Sequence, residues 1–467
     1  SAIIGGVGSD DFSNAVTMAN TLTVSGDVSF NSGHFGVQGM RPGTTIMTGV
    51  NVNVDPTAQT WDTEGSTISA TLAENSYPRS AISANGKYML RRDGTDLKYR
   101  EIETGNEVTI TTIHSDAYAY QLNDDGDIAL VPMQDNASAK PAEIWEKQSD
   151  NSWSKVYETN ACYTSSMSYD GTVVSVFTYG GTANHMIYKR TNGTWAEHGT
   201  LSTGHNDFDY WTAFNKDGTC VAVRASSTGT IKVYRNTSDT TWTESGSTSL
   251  TGSDLEQGNF HSLALSDDGQ HLAIAGYGWT SGAGLIRIYD ITSSSFSSVF
   301  TDNSTGANVN LGRSLSFRGS VAEGQYVLAA IGTYDSSHGN GQYYRIHTGT
   351  SASNMAQVKE GVLGSTSSGK NSITVCGFRH KILAGINTSD YYQLLSIPTS
   401  QYTITYEDEL QNVFKIDNTN SNIVSQLDVS FNSNLYVAGD LSWNPASSIA
   451  ANSIPASAII GGVGSDD

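Results

Sequence analysis

The sequence predicts an all-β fold: a seven-bladed β-propeller over 56–406, flanked by segments at 1–55 and 407–467 that together make a β-rich inter-repeat connector. Three observations lead there. A tight-turn hairpin phrase recurs from about residue 80, with turn glycines at Gly86, Gly126, Gly171, Gly218 and Gly269. Gly (47 residues), Tyr (23) and abundant Ser, Thr and Asn favour short strands and turns, and no sustained 3.6-residue apolar stripe is present. The two terminal segments share a second, unrelated repeat.

The hairpins read AISANGKYMLRR (81–92), AYQLNDDGDIALV (119–131), SMSYDGTVVSV (166–176), TAFNKDGTCVAV (212–223) and LALSDDGQHLAIA (263–275). Asn-Gly or Asp-Gly between alternating apolar residues signals a hairpin, Gly accepting the positive φ of a primed turn. Weaker copies follow at 315–331 and 373–386. A third strand succeeds each hairpin, as in IWEK (144–147), IYKR (187–190), VYRN (233–236) and IYDI (288–291). An aromatic-led fourth strand comes next: SWSKVYE, TWAEHGT, TWTESGS and SFSSVF. Four antiparallel strands every 40–50 residues is the period of a propeller blade. Trp153, Trp195 and Trp242 hold equivalent places and are expected to pack between blades. The last blade lacks a Trp-led fourth strand, whereas TWDTEGST (60–67) matches TWTESGST (241–248) yet precedes the first blade. Residues 58–67 are therefore expected to close the ring, removing open sheet edges.

Outside the propeller, LTVSGDVSFN (22–31) aligns with LYVAGDLSWN (435–444), and DVSFN (428–432) doubles the phrase. These are short strands with one apolar face, marginal alone. Val24, Val28, Phe30, Val429, Phe431, Leu435, Val437, Leu441 and Trp443 are the expected inter-repeat contacts; packing on the propeller's own rim is the alternative. The phrase SAIIGGVGSDD stands at both 1–11 and 457–467. The expectation is one unit of a tandem array followed by the first residues of the next, with neighbouring copies head to tail as partners.

The GDVSFNS, NLYVAGDLSWN and IPASAIIGG passages resemble repeat segments of fibre-like tandem-repeat structural proteins of large algal and amoebal DNA viruses. The hairpins resemble WD40-like and integrin-type propeller repeats. The first resemblance implies an extracellular or virion-surface filament; the second implies fold alone.

Charge narrows the function classes. Against 25 Lys+Arg stand 46 Asp+Glu, a net −21, and no basic cluster offers nucleic acid or an anionic membrane a landing place. No apolar run is long enough for a membrane-spanning helix. Cys162, Cys220 and Cys376 lack C-x-x-C spacing, so zinc and a disulfide framework are not expected. The Asp residues of Ser168-Tyr169-Asp170-Gly171 and Ser266-Asp267-Asp268-Gly269 read as turn formers, and no sialidase box, nucleophile elbow or phosphate loop appears. No catalytic residue, metal site or cofactor is assigned. Asn123-Asp124-Asp125-Gly126-Asp127 and the loop His205-Asn206-Asp207-Phe208-Asp209 are the cation alternatives; the first lacks the alternating ligands and terminal Glu of a calcium loop.

Sequons at Asn136, Asn192, Asn236, Asn303 and Asn387 fall in expected turns or loops, which favours covalent glycans there. Asn192 and Asn236 are expected in matching turns between third and fourth strands. Serine-rich runs such as ITSSSFSS (291–298) are candidates for O-linked sugars. The leading expectation is a non-enzymatic, glycosylated structural unit of a fibril. The alternative is an adhesin head that binds a cell-surface glycan or receptor.

Overall fold

The computed structural model describes residues 60–70, 81–113, 120–133, 140–162, 164–178, 184–202, 212–224, 230–238, 240–249, 260–276, 284–303, 311–334, 341–364, 371–386 and 391–398, and terminal strands at 22–25, 28–29, 35–37, 49–54, 402–407, 414–417, 422–425, 429–431, 436–437 and 441–443. The chain divides into two compact units, Val54–Gln401 and Ser1–Asn53 with Tyr402–Asp467.

The first unit is a seven-bladed propeller of four-stranded antiparallel sheets. Blade 1 runs Ala81–Ile82, Tyr88–Asp93, Asp96–Glu101, Glu107–Thr112; blade 2 runs Gln121–Leu122, Ile128–Pro132, Lys140–Lys147, Trp153–Cys162. Blades 3 to 6 repeat the order, with inner strands Thr164–Met167, Thr212–Phe214, Phe260–Leu265 and Ser314–Ser320. In blade 7, Asn371–Val375, Lys381–Ile386 and Tyr391–Ser396 are completed by Asp62–Ser69 from the start of the unit. That strand is antiparallel to Tyr391–Ser396, Asp62 opposite Ser396 and Ser69 opposite Tyr391. Trp61, just before it, is fully buried.

Why these turns form is visible atom by atom. In blade 1 the Gly86 amide donates to the Ser83 carbonyl at 3.0 Å, and Ser83 Oγ accepts from the Tyr88 amide at 3.1 Å. Asn123, Ser168, Asn215 and Ser266 cap the second strands of blades 2 to 5 in the same way. Only the glycine of each turn has positive φ (65° to 77°), not the Asn or Asp before it. The turns are thus type I closed by a left-handed glycine, rather than the primed turns expected. Blade 7 keeps the geometry with different residues: Cys376 Sγ accepts the Lys381 amide at 3.3 Å, and Arg379 takes the glycine's place at φ 62°.

The core lies between blades. One cluster joins Ile128, Leu130 and Ile144 of blade 2 to Val174, Val176 and Trp195 of blade 3. Another joins Ile82 and Met89 of blade 1 to Leu383, Tyr392 and Leu394 of blade 7, closing the ring by packing as well as by strand pairing. Each such aliphatic side chain contributes about 1.5–3 kcal/mol on burial. Trp153 lies 5.0 Å from Tyr99 of the preceding blade. Trp195 faces Glu146 of blade 2, and Trp242 packs on the cluster between blades 3 and 4. Cys162, Cys220 and Cys376 are free and buried.

The second unit holds a six-stranded sheet in the order Leu441–Trp443, Leu22–Ser25, Asn422–Ser425, Phe414–Asp417, Tyr402–Glu407, Gly49–Val54. Two further pairs join Val28–Ser29 to Tyr436–Val437 and Phe35–Val37 to Val429–Phe431. Tyr402–Glu407 pairs with Phe414–Asp417, and the division between the two units falls at Gln401 and Tyr402.

Candidate functional site

The inner-hairpin turns are stitched blade to blade through their backbones. Backbone amides of Ala84, Asp124, Asp170, Lys216, Asp267 and Phe378 donate to carbonyls of Asp124, Tyr169, Lys216, Asp267, Gly319 and Ala84 at 2.6 to 3.1 Å. Successive turns thus bond around the axis, and six of seven blade junctions carry such a bond.

Arg318, within the blade 6 inner strand Ser314–Ser320, reaches across this ring. Its two terminal nitrogens donate to the two Asp124 oxygens of blade 2 at 3.0 and 2.8 Å. Its Nε is 2.7 Å from Asp267 Oδ1 of blade 5, and its guanidinium carbon lies 3.7 Å over the Tyr169 ring of blade 3. Arg379 of blade 7 joins Glu323 at 2.8 Å and approaches Asp267 at 3.7 Å. Burial works against the Arg318 charge, but Asp124 and Asp267 outweigh it and hold the guanidinium protonated. Burial also pushes the Asp267 carboxyl upward, with Arg318 and Arg379 opposing.

Beyond this floor the inner strands of all seven blades enclose a cavity of about 150 Å³. Its lining is rich in hydroxyls, among them Ser165, Ser262, Ser314, Ser316, Ser372 and Thr374. Some of them satisfy the free edge of a neighbouring inner strand: Ser314 and Ser316 accept the Ile373 and Val375 amides at 3.1 and 3.0 Å. Ser165 Oγ and Ser372 Oγ are buried without a protein partner.

Several groups look reactive and are not poised to react. Cys376 Sγ is 3.5 Å from His380 Nδ1. Burial raises the thiol and lowers His380 to about 4, the reverse of a thiolate–imidazolium pair. Asp170 and Asp268 are engaged by Ser168 and Ser266 and by the amides of Thr172 and Gln270 within their own turns. In the acidic loop of blade 2, Asp124 is held by Arg318 and Asp127 by Asn123. No three His, Cys, Asp or Glu converge as metal ligands among the described residues. The loop 205–209 lies outside them. No helix of the described residues is long and apolar enough to cross a membrane.

Of the sequons, Asn192 is exposed in a two-residue turn with Gly193, at φ 51° and 82°, between the third and fourth strands of blade 3 as expected. Asn236 lies instead within Thr230–Ser238, opposite Trp242, half-buried; it is a ladder position rather than the matching turn. Asn303 ends the fourth strand of blade 5, opposite Leu285. Asn136 and Asn387 lie outside the described residues.

Among the connector positions, Val24 stands opposite Leu441, Val28 opposite Val437, and Phe431 and Val429 opposite Phe35 and Val37. Trp443 faces Leu22. Phe30 and Leu435 lie outside the described residues. The segments expected to meet a neighbouring copy therefore pair with each other within one chain. The cross-channel Arg318 cluster is a feature the sequence reading missed, because its partners are far apart in the chain and no local motif announces them.

No family model and no curated protein matches the chain. Among solved structures, the chain resembles a component of the mitotic checkpoint complex, with TM-score 0.51 and 11% identity, covering 79% of this chain and 99% of that one. It also resembles the β-propeller domain of Cps50 (Swd1) from Myceliophteria thermophila, with TM-score 0.49, 10% identity and coverage of 71% and 99%. A third likeness is to hydrazine synthase of Kuenenia stuttgartiensis, with TM-score 0.49, 10% identity and coverage of 70% and 97%. At such identities the likeness concerns fold alone.

Proposed function

We propose that this chain is a non-enzymatic structural unit of an extracellular or virion-surface fibril, in which closed propeller rings follow one another through β-paired connectors. The observation that carries this reading is the sheet that both terminal segments build together, Leu22–Ser25 lying between Asn422–Ser425 and Leu441–Trp443. A connector that folds fixes spacing and direction; an unpaired linker yields only a flexible string. The duplicated SAIIGGVGSDD phrase and the acidic surface, which keeps neighbouring chains apart, agree with it. Head-to-tail contacts that do not close generate a filament. Exposed Asn192 is the leading glycan site.

Electron microscopy of native material is expected to show regular beads along an axis, and peptide mass spectrometry a glycan on Asn192. Isolated single particles from native material would overturn the fibril.

The second reading, an adhesin head for a glycan or receptor, draws support from the hydroxyl-lined cavity. At about 150 Å³ that cavity is smaller than the 300–1,000 Å³ usual for ligand sites, which ranks the adhesin second.

A further inference from the structure

The two connector segments pair in a reciprocal manner. LTVSGDVSFN (22–31) and LYVAGDLSWN (435–444) align with Gly26 matched to Gly439. In the sheet Thr23 stands opposite Ser442 and Val24 opposite Leu441, while Val28 stands opposite Val437 and Ser29 opposite Tyr436. Replace each residue by its counterpart in the other copy, and the register maps onto itself. Val24 with Leu441 becomes Val437 with Val28, and Thr23 with Ser442 becomes Tyr436 with Ser29. Among the described residues the pairing register is therefore reciprocal between the two segments. The 22–31 segment of one copy therefore offers 435–444 of another the same strand that it offers its own.

The position of Leu22–Ser25 adds a second observation. It is an interior strand, antiparallel to Asn422–Ser425 on one side and to Leu441–Trp443 on the other. Withdrawn, it leaves two open edges shaped for the same sequence, and an open edge recruits a strand.

We propose that 22–31 and 435–444 form a homotypic pairing element through which one copy of this chain binds another, Leu22–Ser25 of one entering the sheet of its neighbour. This deepens the fibril reading and rests on it for its biological setting, but the pairing itself is a property of these strands.

The test uses the full chain with single cysteines at facing positions. Val24→Cys and Leu441→Cys stand directly opposite across the ladder, the placement a disulfide needs, and the three native cysteines are buried. Co-expression of the two single variants, followed by oxidation, is expected to give a covalent dimer. Neither variant alone is expected to give one, because position 24 never faces position 24 in this register. A double variant that closes only within its own chain, with no dimer from co-expression, would overturn exchange between copies. Absence of any link in the double variant would overturn the pairing itself. A mixed dimer together with native material lacking beads would leave the pairing standing and remove the fibril.

Discussion

Arg318 shows how much one side chain can hold together when it is placed on an axis. It touches blades 2, 3 and 5 from blade 6, with its side chain 3% exposed. Removing one partner from a buried charge cluster leaves the rest uncompensated, at a cost of about 3–5 kcal/mol. Arg318→Met is therefore expected to destabilise the ring by that amount in urea unfolding, and adding Asp124→Asn and Asp267→Asn should recover much of it. An unaltered midpoint for Arg318→Met would show that the cluster does not hold the ring. A second residue-scale expectation concerns acid. His185 is fully buried against Ser175, and burial lowers its pKa to about 3; His380 is lowered to about 4. Both are neutral in the fold, whereas the unfolded chain takes up protons near pH 6.5. Stability is thus complete above that pH and declines as pH falls toward 4, by about 1.4 kcal/mol per unit for each histidine. His185→Gln should flatten the fall in melting temperature over this interval; an unchanged slope would count against it. The turn residues were legible because Ser or Asn, Asp and Gly at fixed spacing act locally. Arg318 was not, since its partner Asp124 is 194 residues distant.

At the scale of elements, four strands per blade could be read because alternation and turns recur. The closing strand could be read because TWDTEGST resembles a fourth strand and stands where no blade precedes it. The structure has that strand at Asp62–Ser69, beside Tyr391–Ser396. Deleting 56–67 is expected to strip blade 7 of its outer strand and of Trp61, lowering the melting temperature of the whole ring. The milder Trp61→Ala should cost about 3–5 kcal/mol. A deletion that melts like the parent chain would mean the seam contributes nothing. Blade 7 itself was harder to read, because Cys376 and Arg379 stand in for the capping Ser or Asn and the turn glycine. Asn236 was misplaced for a related reason: a register shift between Asn236 and Ser238 keeps the sequon in the ladder, which similarity between blades does not reveal.

For the whole molecule, the sequence marked the terminal segments as kin but left open which would meet which. Similarity between 22–31 and 435–444 specifies a shared shape, whereas pairing depends on which strands are brought within reach. That is why residues expected to face a neighbour are found facing one another. The seam of the propeller has a mechanical consequence. The polypeptide enters the ring at Asp62 and leaves at Ser396, and these two residues are directly opposite. Tension along the backbone therefore peels the seam from one end, breaking one rung at a time instead of shearing all of them together. Once the terminal sheet in which Gly49–Val54 and Tyr402–Glu407 are neighbours has opened, a ring built this way gives up length gradually, so a chain of such rings would stretch before it snapped.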